Sequence, residues 1–425
     1  MSGRAQPLRW GVNYTPSQSW FHSWLDFDLD AVRADLDSIA ELGLDHVRIF
    51  PLWPILQPSR TLLRPQAITD VGKVVDAAAE RNLDVAVDGL QGHLSSFDFL
   101  PSWLTSWHRR NMFTDPEVVD AQARLITALA TEVSARSNVI GLTLGNETNQ
   151  FAVERHPEQQ HVSPARMGEW IGTLLDAARS AWPAGMHQHS FDDDVWFADS
   201  APVTPRHAAT LGDCSTVHSW VFTSVARNFG PGHPARTFFA DYLVQLAQAW
   251  AEDPARPVWL QEIGAPAPFI AADDAPEFME SSLRPLLDTP NLWGVTWWCS
   301  HDVSRSLADF PELEYSLGLL DSNRAAKPLG TRFGELAAQQ RASPALTRIR
   351  STAVAFDPGD QASGAGRPIT SPSGPVFAAW LERAAAGEPP ALVRTSKLDD
   401  AAYLSARGID TVVPAEPYPH AGKDS

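Results

Sequence analysis

Two glutamates stand where acid/base chemistry would want them. The apolar run 138–145 closes on Asn146 and Glu147, and the run 257–261 closes on Glu262, which Gly264 soon follows. Apolar runs of this length, bounded by polar residues and glycine, read as buried strands. A carboxylate at the end of such a strand is held rigidly while it faces a pocket. The two lie 115 residues apart (262 − 147), too far for one helix face or one hairpin. A closed fold of many strands is needed to bring them together.

The rest of the chain supplies such a scaffold. Strand patterns occur at 10–14, 45–50, 84–88, 138–145, 187–190 (the weakest), 214–220, 258–262 and 292–298. Helical patterns fall between them at 28–42, 69–81, 115–136, 163–181, 235–251 and 275–287, with a last one at 327–341. Their punctuation agrees: Gly43 is a C-cap, Thr69 an N-cap, and Ser163-Pro164 a helix start. Eight alternations predict a closed (β/α)8 TIM barrel over residues 8–342 rather than an open doubly wound sheet. A glycine-rich dinucleotide fingerprint is absent. Residues 343–418 then read as a small C-terminal α/β module. Its strands are expected near 351–354, 391–395 and 411–414, its helices at 376–386 and 397–407, and a Gly/Pro/Ser-rich loop at 358–373. Residues 419–425 read as a frayed tail.

Composition narrows the function classes. The 425 residues carry 51 acidic and 33 basic groups, a formal net charge of −18, which argues against nucleic acid or an anionic membrane as partner. No run of 18 apolar residues and no secretory h-region is visible, so no membrane span is expected and a cytoplasmic location is. Cys214 and Cys299 read as reduced core thiols. No cofactor or metal is implied. Asp192-Asp193-Asp194 reads as a solvated loop, and His187 with His189 is too small a set for zinc. Sixteen tryptophans in 425 residues are unusual; much of that must be core, but sugar clefts also use flat aromatic faces. The sequence is compatible with a homo-oligomer.

In a (β/α)8 barrel the active site lies at the carboxyl ends of the strands. The strands here end on Asn13 and Tyr14, Arg48, His93 just beyond the third, Asn146 and Glu147, His218 and Trp220, Glu262, and Trp297 with Trp298. Asn149, His301 and Asp302 are further candidates for sugar hydroxyls or the leaving group. Two carboxylates among such groups fit glycosidic bond cleavage, one protonating the leaving oxygen and the other meeting the anomeric carbon. Arg48 would keep one carboxylate ionised, and a less ionic setting would keep the other protonated.

With those residues in place, the barrel portion resembles the clan of retaining (β/α)8 glycosidases with glutamates on strands four and seven, and within it glycoside hydrolase family 5. The resemblance implies Glu147 as acid/base, Glu262 as nucleophile and Asn146 as ligand of the sugar 2-hydroxyl. Arg48, His93, His218 and Trp298 match that family's strand-end Arg, two His and sugar-platform Trp. The family's usual His-x-Tyr on strand six is here His218-Ser219-Trp220, so an indole N–H would replace the Tyr hydroxyl at the nucleophile. The runs 145–150, 218–220, 261–266 and 297–302 are similar to the actinobacterial subfamily 18 enzymes, which include a β-mannosidase of small mannosyl-N-acetylglucosamine substrates. The implied activity is a retaining exo-β-mannosidase on a small oligosaccharide. A β-glucosidase, an endo-mannanase or glucanase, and a catalytically silent carbohydrate-binding barrel are the alternatives. Retention requires carboxyl groups about 5–5.5 Å apart, whereas a separation near 9 Å would mean inversion.

Overall fold

The computed structural model describes residues 7–360 and 365–415. Seven strands form one parallel sheet in the order Val139–Thr143, Asp84–Asp88, His46–Ile49, Arg9–Asn13, Leu292–Trp297, Val258–Ile263 and Ser215–Ser219. Arg9–Asn13, the first strand of this sheet along the chain, thus pairs with its last, Leu292–Trp297, as a barrel requires.

The expected fifth strand, 187–190, is instead a single bridge between Thr143 and Gln188. The segment still spans the gap between the two outer strands. Met186 N–H reaches the Ile140 carbonyl at 2.9 Å, Gln188 N–H reaches Leu142 at 3.0 Å, and Asp213 N–H reaches the His187 carbonyl at 2.8 Å. One rung is made by a side chain, since His187 Nδ1 accepts the Leu142 N–H at 3.2 Å. Close approach is what makes this closure irregular. A Cβ on Gly141 would sit 1.7 Å from the Met186 carbonyl oxygen.

The helices Leu29–Glu41, Pro116–Val133 and Pro164–Ala181 begin where the sequence signals them, with the Asp28, Asp115 and Ser163 side chains accepting first-turn N–H groups. Thr69 is not a cap: the helix is Pro65–Ala79 and starts a turn earlier on a proline. Proline's fixed φ suits the first helical position, so it outcompetes the threonine. Helix Pro234–Trp250 is buried on almost every residue. Such a helix needs cover on both faces. The barrel covers one face, and the C-terminal sheet, ordered Ala391–Arg394, Thr352–Phe356, Thr411–Pro414, covers the other. The buried ion pair Arg350–Asp241, at 2.7 Å, and the bond from Arg394 Nε to the Ala249 carbonyl, at 2.9 Å, fasten the two. The helix expected at 397–407 is shorter, Ala401–Ala406. The tail 419–425 lies outside the described residues.

Most of the tryptophans are core: thirteen of the sixteen are buried, eight of them fully. Both cysteines are buried, unpaired thiols. Among the described residues no helix is long and apolar enough to cross a membrane.

Gly141→Ala should therefore open the barrel at its weakest seam. We expect a stability loss of about 3 kcal/mol or more, because a backbone carbonyl cannot move aside as a side chain can. A lower urea midpoint at unchanged slope would show it.

Candidate active site

The cleft at the carboxyl ends of the strands has a volume of about 630 Å³, and Glu147, Glu262, Asn146, His93, Trp220 and Trp298 are among its walls. Beneath it lies the Arg48 guanidinium, fully excluded from solvent. It donates through Nε and Nη2 to the two Asp88 oxygens, both at 2.8 Å, and through Nη1 to Glu262 Oε1 at 2.9 Å. It also reaches Asn146 Oδ1 at 2.8 Å and Asn13 Oδ1 at 3.3 Å. Only a planar fork of donors can serve so many acceptors at once. Asn13 passes the order along, donating to the Gln261 and Trp297 carbonyls at 3.0 and 3.1 Å.

Above the arginine, one oxygen of Glu147, one of Glu262 and a ring nitrogen of His218 lie within 4.8 Å of one another. His218 Nδ1 is 2.6 Å from Glu147 Oε1 and 3.4 Å from Glu262 Oε2. The Trp220 indole N–H donates to Glu262 Oε2 at 3.2 Å. Such a trio has metal-ligand spacing, but Glu262 is already committed to Arg48 and Trp220 and Glu147 to His218. Glu147 itself sits in the left-handed region, at φ 42°, unusual for a residue with a Cβ. Its N–H donates to Ser190 Oγ at 3.3 Å, and the Ser190 hydroxyl donates to the Gly145 carbonyl at 3.0 Å.

Protonation in this cluster departs from the sequence expectation. Burial raises the Glu262 pKa, and the neighbouring charge of Glu147 adds to it, so His218 and Arg48 offset the rise only in part. Burial acts on Glu147 too, but there the hydrogen bond and charge of His218 outweigh it and the pKa falls. Burial opposes the His218 imidazolium, yet the two glutamates leave its pKa raised. Arg48 alone does not fix which carboxylate is ionised, because it is shared with Asp88, whose own pKa burial raises. Arg48, and His218 when it is protonated, face three carboxylates.

Several sequence candidates lie elsewhere. Trp297 is fully buried, gives its indole N–H to the Leu317 carbonyl at 3.1 Å and packs on Phe333; successive strand residues point to opposite faces, so only Trp298 reaches the cleft. Tyr14 donates to Asp35 at 2.8 Å, outside the cleft. His301 is buried between the Thr15 carbonyl and Ser38, at 3.1 and 3.3 Å. Asp302 is paired with Lys327 at 2.8 Å. Asn149 is buried and donates to Asp192 at 2.7 Å. The run Asp192-Asp193-Asp194 is no solvated loop, since it lines the cleft. Burial, with neighbouring charges, raises Asp192 and pushes Asp193 up to about 7. Sequence reasoning missed Asp88, Ser190, Glu314 and 371–373. Asp88 and Ser190 end expected strands and could have been found; Glu314 and 371–373 are brought in by a long loop and by the C-terminal module.

This fold and this cluster define a (β/α)8 glycoside hydrolase. No family model and no curated protein matches the chain. Solved structures do. A glutamate-to-alanine variant of a GH5_18 enzyme from Streptomyces cattleya, in complex with Manb1-4GlcNAc, is 52% identical over 96% of this chain and 99% of its own, with a TM-score of 0.95. GH5_18 from Streptomyces cattleya in complex with GlcNAc is 52% identical over 97% of this chain and 100% of its own, also at TM-score 0.95. A glutamate-to-alanine variant from Bifidobacterium longum subsp. longum, in complex with Manb1-4GlcNAc, is 44% identical over 97% of each chain, at TM-score 0.93. The chain belongs to glycoside hydrolase family 5, subfamily 18.

Replacing Arg48 by methionine leaves Asp88 and Glu262 buried without their shared cation, a change that costs about 3–5 kcal/mol. Both carboxyls then rise further, so the folded state binds more protons than the unfolded one. The deficit should shrink as pH is lowered. Urea unfolding at pH 7.5 and pH 5 checks both the size and the sign.

Proposed function

We propose that the chain is a retaining exo-β-mannosidase that releases mannose from mannosyl-β-1,4-N-acetylglucosamine. The observation that carries the substrate is the disaccharide held by relatives 44–52% identical over nearly the whole chain. Glu262 attacks the anomeric carbon while Glu147 protonates the leaving oxygen. The resulting glycosyl ester is then cleaved by water, whose proton Glu147 takes. The separation of at most 4.8 Å between their nearer oxygens supports retention, since inverting pairs stand about 6.5–9.5 Å apart. Arg48 holds Asn146 Oδ1, leaving its Nδ2 to donate to the sugar 2-hydroxyl.

His218 supplies what the resting Glu147 lacks. Its Nε2 faces Gln261 Oε1 at 3.2 Å, an acceptor, so Nε2 keeps its hydrogen and the mobile proton lies on the Nδ1 side. With His218 charged and Glu147 ionised, one proton crossing the 2.6 Å bond makes Glu147 the general acid and His218 neutral. Exo action is supported by a closure at one end of the cleft. There Ser95 donates to Glu314 at 2.9 Å, backed by Trp20, Phe97 and Phe310 with ring centroids 4.7–5.3 Å apart.

NMR of the first product should show β-mannose from mannosyl-N-acetylglucosamine, with little cleavage of cellobiose and no internal cuts in mannan. An initial α-anomer would rule out retention, and Glu262→Ala should abolish turnover. A second test uses pH. The basic limb of kcat/KM reports the proton shared by Glu147 and His218, and His218 is raised above its ordinary value. In His218→Gln only a carboxyl holds that proton, so the limb should move to lower pH and activity at pH 7 should fall about 10²-fold. An unmoved limb would exclude the shared proton.

A further inference from the structure

We infer that segment 367–373 of the C-terminal module forms part of the subsite for the leaving sugar, so that the module is a specificity element of the active site. The inference rests on the glycosidase reading above.

Ring order sets the direction of the substrate. Ser95 and Glu314 follow the third and last barrel strands and close one end of the cleft. The groups after the fifth and sixth strand positions stand across the ring from them. These include Asp193, Phe222 and Arg227. A sugar whose glycosidic oxygen is protonated by Glu147, and whose non-reducing end meets the closure, must send its leaving group toward that far flank. Ser371, Pro372 and Ser373 line the cleft there, contributed by a different part of the chain.

The segment is built in rather than loosely laid on. Arg367, almost wholly buried, donates to the carbonyls of Val195, Val203 and Ala201 at 3.2, 3.0 and 2.9 Å. Its N–H reaches Asp199 at 2.9 Å. Thr370 Oγ1 donates to the Trp196 carbonyl at 2.8 Å, and the Thr370 carbonyl accepts from Tyr242 at 2.7 Å. These contacts clamp the very loop that follows Asp192-Asp193-Asp194. The turn is fixed as well: Gly374 N–H bonds the Ser371 carbonyl at 2.7 Å, and a Cβ on Gly374 would meet the Ile369 oxygen at 2.3 Å. Two serine hydroxyls and the Phe222 ring offer what a neutral amino sugar presents, polar edges and an apolar face.

The test compares two substrates in two variants. Mannosyl-N-acetylglucosamine reaches the far flank, whereas β-mannosyl fluoride, with a one-atom leaving group, does not. In Ser373→Trp, which fills the mouth, and Arg367→Met, which releases the clamp, the ratio of kcat/KM for disaccharide over fluoride should fall tenfold or more, with the disaccharide KM rising. An unchanged ratio would overturn the inference. Ser373 is exposed, so its variant decides the matter by itself if Arg367→Met fails to fold. A wild-type protein that cleaves neither substrate would instead remove the glycosidase reading, and this inference with it. A wild type that cleaves the fluoride alone would remove only the leaving-sugar subsite.

Discussion

The rest of the site depends on one buried imbalance of charge. Arg48 and His218 bring two positive charges to a barrel mouth that also holds Asp88, Glu147 and Glu262. Burying an unpaired carboxylate is costly, and burying three against two cations leaves one negative charge unmatched. The cluster therefore favours an extra proton: burial raises the pKa of Asp88, and burial with the charge of Glu147 raises that of Glu262. A site that must give up and recover one proton per catalytic cycle is poised by such an imbalance. Barrel geometry is what makes it bearable. Arg48, Asp88, His218 and Glu262 sit on four strands of one sheet and need no loop to meet.

How much of this could be read from residue types follows the same division. Strand-borne groups were legible, because a polar residue closing an apolar run has one place to go in a barrel. Arg48, Asn146, Glu147, His218, Trp220 and Glu262 are all of that kind. Trp297 and Trp298 follow the same rule: period-two alternation favours Trp298 as the sugar platform, and it is Trp298 that reaches the cleft while Trp297 turns to the helix layer. Tyr14 and His301 belong instead to a second polar network, in which Asp35 accepts from Tyr14, Ser17 and Arg324 and lies 4.0 Å from His301, while Asp302 is taken up by Lys327. That network ties the ends of the first and last strands together and has no part in the cleft.

Loops were not legible, because their partners are set by folding rather than by local pattern. The acidic run 192–194 reads as solvated by composition, yet Asn149, Arg155 and Thr223 converge on it. The C-terminal module was readable as strand, helix and strand, but nothing in residues 367–373 announces a buried arginine or a place on the rim.

The lining of the cleft bears on the kind of molecule it can take. Its carboxylates are Asp98, Glu147, Asp192, Asp193, Asp194, Glu262 and Glu314, against the arginines Arg155 and Arg227. Arg155 is already paired with Asp192 and Asp194. A uronic acid or a phosphorylated sugar would enter a cavity whose charges repel it. A neutral sugar would not, and carboxyls whose pKa values burial has raised can donate as well as accept hydrogen bonds. Glu314, pushed up to about 7 and held by Ser95 at the closed end, is able to do either. An excess of carboxylates that would disfavour an anionic ligand is thus, for a neutral polyol, a surplus of hydrogen-bonding groups.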